Sequence, residues 1–241
     1  LNITEDLVFR AELLKRIADR EFSERTGVHQ SDLVYCLNKQ ALRRKAGEQS
    51  TDMEILIFSL GWATQRWLTG QDQDEPEKEV DGIKVTCDAL AADAIAEEGD
   101  GYAIYDIGKA VPWELKCTFQ SSSKAIEENP HWVRQLMAQC YVQRSLVAYL
   151  SRLELMGNWK SIFGKKEEKQ LPENEKPTLH AYKLTFTQDE LDRNWAWLRE
   201  RKELYLRIIE TGELLPKAIA LPSGQDWECL YCKFTAECEG G

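Results

Sequence analysis

The run VPWELKCT at residues 111–118 sets two charged side chains, Glu114 and Lys116, among apolar neighbours. Side chains alternate across a strand, so Glu114 and Lys116 emerge on one face while Leu115 turns into the core. Trp113 and Leu115 are typical of a buried strand, where a charged pair needs a chemical reason. An earlier apolar run, GIKVTCDAL at 82–90, carries Asp88, with 25 residues between it and Glu114. Two carboxylates at one sheet edge suit a hard cation, Mg²⁺ or Mn²⁺, whose remaining positions water and a phosphate fill. Such an ion generates hydroxide and stabilises a leaving oxygen, while the Lys116 ammonium neutralises charge or orients the attacking water. Asp106 is the competing first carboxylate and ranks below Asp88.

The rest of the 241-residue chain is rich enough in apolar surface, 43% hydrophobic with eight tryptophans, to build a sizeable core. No apolar run approaches the length of a membrane span, and the start lacks the basic and apolar regions of a signal peptide. A cytoplasmic protein with no membrane partner is therefore expected. The net charge of −10 argues against a diffuse nucleic-acid-coating surface, so any DNA contact must be local.

Helical spacing of Leu7, Leu13, Leu14, Ile17 and Phe22 predicts a first amphipathic helix. Ser31 is expected to cap a helix that stops at Gly47, and Thr51 with Glu54 forms a capping box for one running to Gly70. Gln71 to Glu79 reads as a loop. Three apolar runs, Val80–Ala92, Tyr102–Ile107 and Val111–Thr118, predict consecutive strands of one sheet, separated by turn residues such as Gly99, Asp100, Gly101 and Gly108. Pro130 opens a helix with an apolar stripe of Val133, Leu136, Met137, Cys140 and Val147, after which Leu153–Met156 returns to strand. Gly164–Pro177 reads as a charged loop and His180–Phe186 as a strand. Thr187 and Glu190 cap a long helix ending near Gly212. The expected division is a helical region at 1–78, a core at 79–212 and a cysteine-rich lobe at 213–241.

A strand with Asp, a strand with ExK and then a helix bearing glutamine resembles the PD-(D/E)xK nuclease superfamily, and within it the RecB-like exonucleases. The resemblance implies an α/β fold, a mixed sheet flanked by helices, and hydrolysis of DNA phosphodiester bonds. In NPHWVRQLMAQCY, Gln135 falls at the glutamine of that family's QxxxY motif, a position the resemblance implies helps bind the DNA backbone. Gln139 stands where the motif has tyrosine, and both glutamines are candidates for substrate binding. Tyr141 lies about 200° around the helix from that position. In LGWATQRWL, Gln65 occupies the place, four residues after Gly61, where these nucleases commonly carry a metal-binding histidine, and its carbonyl oxygen can serve a hard cation. His29 and His131 read as structural.

The tail WECLYCKFTAEC holds Cys229, Cys232 and Cys238, and with the distant Cys36 it supplies four thiolates, enough for zinc or an iron–sulfur site. An early cysteine and a C-terminal trio around such a core resemble the iron–sulfur branch of the superfamily, which includes the CRISPR-associated exonuclease that trims spacers. What the resemblance implies is a four-iron four-sulfur cluster on Cys36, Cys229, Cys232 and Cys238, joining the N-terminal helices to the tail. Cys87, Cys117 and Cys140 read as small buried residues. Lys39, Arg43, Arg44 and Lys45 are expected to form a local basic patch that, with the aromatics of the tail, steers single-stranded DNA towards the site. Implied partners are single-stranded DNA ends and a CRISPR integrase complex, with a homo-oligomer also open. The competing reading is a weakened nuclease fold serving as a DNA-binding subunit or integrase partner, supported by Gln65 and Gln139. A cysteine-rich redox protein would leave the D…ExK pattern a coincidence.

Overall fold

The structure is a computed structural model that describes residues 6–21, 25–47, 50–71, 77–95, 104–118, 125–155 and 177–239. From the N-terminal side run α1 (Leu7–Glu21), α2 (Gln30–Leu33), α3 (Leu37–Ala46) and α4 (Asp52–Thr69), then a hairpin of β1 (Lys78–Val80) and β2 (Ile83–Val85). β3 (Ala89–Ile95), β4 (Ile104–Thr118), α5 (Pro130–Gln143), β5 (Val147–Glu154) and β6 (Thr178–Thr185) follow. The long α6 (Gln188–Thr211) precedes the short helices α7 (Lys217–Ala220), α8 (Trp227–Leu230) and α9 (Thr235–Glu239). The expected turn at Gly99–Gly101, residues 72–76 of the expected loop, Phe22, Met156 and residues 164–176 lie outside the described residues.

β3 to β6 form a four-stranded mixed sheet in that order, antiparallel at both edges and parallel between β4 and β5. Parallel neighbours need a crossover, and α5 lies in that connection, its Leu136 and Cys140 clustering with Ala148 and Leu150 of β5. A second cluster gathers Val28, Leu33, Leu37 and Ala41 with Ile83, Val85, Ala138 and the α6 residues Trp195, Leu198 and Tyr205. This core draws on both sides of the boundary expected at residue 78. Both capping boxes form, with Thr51 and Glu54 exchanging backbone-to-side-chain bonds of 2.9 and 3.3 Å and Thr187 and Glu190 doing the same at 2.8 and 3.2 Å. Gly47, Gly70 and Gly212 close α3, α4 and α6 with left-handed backbones, as expected of helix-ending glycines.

Several expectations need correction. Val80–Ala92 is not one strand: Asp81 and Gly82 both adopt positive φ, the turn that reverses a two-residue hairpin, so β1 and β2 form a separate two-stranded sheet. Conversely, Gly108 does not divide the next two runs. β4 is continuous, and Ile107, Gly108 and Lys109 fall in a bulge where the ladder passes from Ala92–Ala110 to Asp93–Asp106. Val147 belongs to β5, which begins six residues before the expected strand. On α1, Leu14 is buried but Leu7 and Leu13 are exposed, so the stripe does not face a core.

The helix expected from Ser31 to Gly47 is split at Val34–Cys36, because partners distant in sequence capture its backbone groups. Arg201, 4% exposed on α6, donates to the carbonyls of Leu33 (2.5 Å), Tyr35 (2.7 Å), Ala220 (3.0 Å) and Ile219 (3.4 Å). Gln225 Nε2 donates to the Val34 carbonyl at 3.1 Å, and the Cys36 amide donates to Glu228 Oε1 at 3.1 Å. Asn38 and Leu215 exchange two bonds, of 2.8 and 3.0 Å. The two ends of the chain are thus sewn together through protein groups. Removing a buried guanidinium orphans several carbonyls, so Arg201→Ala should lower unfolding free energy by about 3 kcal/mol. Arg199→Ala on the exposed side of the same helix should stay within about 0.5 kcal/mol, both read by urea unfolding.

Candidate active site

Period-two alternation in β4 puts Glu114 and Lys116 on one face, and on the other Trp113 donates to Ser151 Oγ of β5 at 2.8 Å. α5 crosses the Glu114 face with Gln135 and Gln139 one turn apart. Glu114 is 2% exposed, and its carboxylate is clasped from three sides. Oε1 accepts from Lys116 Nζ at 2.5 Å and from Gln135 Nε2 at 2.7 Å, and Oε2 accepts from Gln139 Nε2 at 2.6 Å. Lys116 Nζ also reaches Gln135 Oε1 at 3.0 Å.

Asp88 sits one residue before β3, and its Oδ2 accepts the Leu115 amide at 2.6 Å, which brings the two expected carboxylates to the same end of the β3–β4 ladder. Asp106 is paired with Asp93 beyond the bulge, five residues along β3 from Asp88 and about 17 Å away at ~3.4 Å per residue. The structure therefore brings Asp88, and not Asp106, to Glu114. Gln65 is buried on α4 and its Nε2 lies 3.4 Å from the Asp88 carbonyl, so the position singled out in the sequence does border the site. Gln139, expected to bind substrate, is turned into the protein. Its side chain is 0% exposed, and its amide bonds Glu114 and the Thr86 carbonyl (3.0 Å). Both of those partners only accept, so the NH₂ group must face them, and Oε1 is left buried with no hydrogen-bond partner among the described residues.

Burial works to deprotonate Lys116, but Glu114, Tyr35 and Asp88 outweigh it and hold the amine above its ordinary range. Lys116 is thus a fixed cation at neutral pH rather than a base. Tyr35 is raised by burial and by Glu228 and Glu114, against the opposing pull of Lys116, and stays a neutral phenol. His131, 8% exposed at the start of α5, is lowered to about 4 by burial and by Lys116 and Arg134. The sequence gives no sign that His131 feels the charge of Lys116. Tyr35, His131 and Trp227 come from three distant segments with no shared spacing, so only the fold reveals their meeting. His29, by contrast, is engaged with the Thr26 carbonyl (3.1 Å) and Glu77 (3.3 Å).

None of the seven cysteines is in a disulfide. Cys36 is raised by burial and further by Cys238, and Cys238 in turn by burial and by Cys232 and Cys229, so the four expected thiols are electrostatic neighbours. Asn38 Nδ2 points to Cys238 Sγ at 3.9 Å. Among the described residues no set of three or more His, Cys, Asp or Glu side chains is arranged to hold a single metal ion as it stands. In donor chemistry the residues fit: four thiols suit an iron–sulfur group, and two carboxylates with the unpartnered carbonyl of Gln139 suit a hard cation. Cys140 is packed in the core and pushed up to about 12 by burial, and Cys87 is also buried. The basic patch is largely engaged: Arg44 donates to the Gly27 carbonyl at 2.7 Å, Lys39 lies 3.8 Å from Glu228 and Arg43 lies 4.0 Å from Glu54.

The chain superposes on the crystal structure of SSO0001 with a TM-score of 0.55, at 18% identity over 97% of each chain. It also matches a phage-related exonuclease from Haemophilus somnus 129PT, with a TM-score of 0.46 and 9% identity over 79% of this chain and 98% of that one. An alkaline exonuclease from Laribacter hongkongensis gives a TM-score of 0.42 and 11% identity over 82% and 94%. No protein-family model and no curated protein matches the chain. The first likeness establishes a shared fold over 97% of the chain. No helix among the described residues is long and apolar enough to cross a membrane.

His131 generates a pH signature. Its folded pKa lies below the unfolded value of 6.5, so the stability it contributes is present above pH 6.5 and lost as pH falls towards about 4. Urea midpoints at pH 7, 6 and 5 should fall more steeply for the wild type than for His131→Phe.

Proposed function

We propose that the protein is a metal-dependent deoxyribonuclease acting through Asp88, Glu114 and Lys116. The observation that carries the reading is the Glu114 carboxylate, buried in an α/β sheet yet surrounded by Lys116, Gln135 and Gln139, with Asp88 one strand away. A buried charge with this polar retinue costs desolvation that simple packing would avoid, so it calls for a chemical role. Asp88 and Glu114 would hold Mg²⁺ or Mn²⁺, and Gln139 would contribute its unpartnered Oε1 or fix the rotamer of Glu114. The ion, when bound, supplies Lewis acidity to the phosphoryl oxygen and makes water more acidic. Lys116, permanently charged, neutralises the phosphate and orients the attacking water. Gln135 faces the same carboxylate and is the glutamine left to meet the DNA backbone.

The sequence resemblance extends the proposal to single-stranded DNA ends, to a four-iron four-sulfur cluster on Cys36, Cys229, Cys232 and Cys238, and to spacer trimming beside a CRISPR integrase. One observation favours the second reading, a DNA-binding subunit that does not cut. Both oxygens of Glu114 are already bonded to protein donors.

Cleavage of end-labelled single-stranded DNA with Mn²⁺ separates the two. Asp88→Ala, Glu114→Ala and Lys116→Ala should each abolish it, and Asp106→Ala should retain it. Full activity in Glu114→Ala overturns the site, and a wild type that binds DNA without cutting it selects the second reading. Protein purified without oxygen should carry about four irons per chain. A colourless sample with stoichiometric zinc overturns the cluster.

A further inference from the structure

Beside the carboxylates lies an aromatic surface that the chemistry above does not use. Tyr35, between α2 and α3, His131 at the start of α5 and Trp227 at the start of α8 converge, with ring centroids 5.5 Å apart for Tyr35–His131 and 5.6 Å for His131–Trp227. Trp132 adds a fourth ring 5.6 Å from His131. Three features make this more than core packing. Trp227 is 41% exposed, whereas most tryptophan surface held in a core is hidden. His131 is more than nine-tenths buried, yet its Nδ1 has no hydrogen-bond partner among the described residues. His131 stands one helical turn before Gln135, which bonds both Glu114 and Lys116, so the rings border the candidate active site rather than a remote face.

We propose that Trp227, backed by His131 and Tyr35, is a stacking platform for an unpaired nucleobase of a single-stranded nucleic acid whose backbone lies over Lys116. This rests on the nuclease reading of Asp88, Glu114 and Lys116 and names the residue that would set the strand preference of that site. A flat aromatic face is indifferent to base identity because every base has a π-face, so the platform confers strand-type rather than sequence preference. In a duplex the bases are stacked on one another and cannot lie on the tryptophan without unpairing. His131 backs the exposed tryptophan with ring area of its own. A chain of net charge −10 has little general attraction for polyphosphate, so local stacking supplies contact that bulk electrostatics does not.

The test is binding of a fluorescein-labelled oligothymidylate in EDTA, where no cleavage occurs. Trp227→Ala should weaken binding about fivefold to a hundredfold, with Trp227→Phe recovering most of the loss and duplex of the same length little affected. With wild-type protein, abasic sites scanned along the oligonucleotide should reveal a position where losing the base weakens binding by a similar factor, and Trp227→Ala should erase that position. A flat abasic scan with wild-type protein overturns the platform, as does a folded Trp227→Ala protein that binds as tightly as wild type. The binding assay needs no metal, so the two readings fail separately. Stacking without Mn²⁺-dependent cleavage defeats the nuclease alone, and cleavage with a flat scan defeats the platform alone.

Discussion

The site rests on the clasp around Glu114. Burying a carboxylate is costly unless charge and hydrogen bonds replace the lost solvation. Here Lys116 on the same strand and two amides on α5 do so. That requirement fixes much else: α5 must cross the sheet between two parallel strands, and its glutamines must be one turn apart to reach both carboxylate oxygens. The clasp also defines the electrostatics nearby. Lys116 is held charged, Tyr35 neutral and His131 uncharged, so the site carries one fixed cation beside a neutral aromatic wall.

The second dependency is the seam between the ends of the chain. Cys36 lies in a break between two helices whose carbonyls and amides are taken by Arg201, Gln225 and Glu228. These bonds bring Cys36 near the C-terminal thiols. The same seam carries Tyr35 to Lys116 and Trp227 to His131. Cysteine lobe and aromatic wall are therefore neighbours, joined by Glu228, which accepts from Cys36 and bears on Tyr35.

Legibility in the sequence follows the range of the interaction. Alternation along VPWELKCT reveals the shared face of Glu114 and Lys116, and a spacing of four on α5 reveals the glutamine pair, because both are local periodicities. Capping boxes at Thr51 and Thr187 and terminal glycines read correctly for the same reason. The split of the Ser31–Gly47 helix escapes such reading, since Arg201 and Gln225 compete for its backbone from far along the chain. So does the burial of Gln139, whose polar side chain looks like a surface residue until Glu114 is placed beneath it. Of the aromatic wall only the tail aromatics are visible in the sequence, and the meeting of Trp227 with Tyr35 and His131 has no local signal. The Asp81-Gly82 turn, by contrast, was written plainly in the sequence and was overshadowed by the apolar run around it.

The most direct measurement of the central idea, that the buried carboxylate pair holds a hard cation, is Mn²⁺ binding without DNA, followed by electron paramagnetic resonance. Wild-type protein should sequester Mn²⁺, and Glu114→Gln, which keeps the shape of the side chain but removes its charge and exchanges one acceptor oxygen for an amide donor, should lose that binding. Mn²⁺ retention in Glu114→Gln equal to that of the wild type would contradict it.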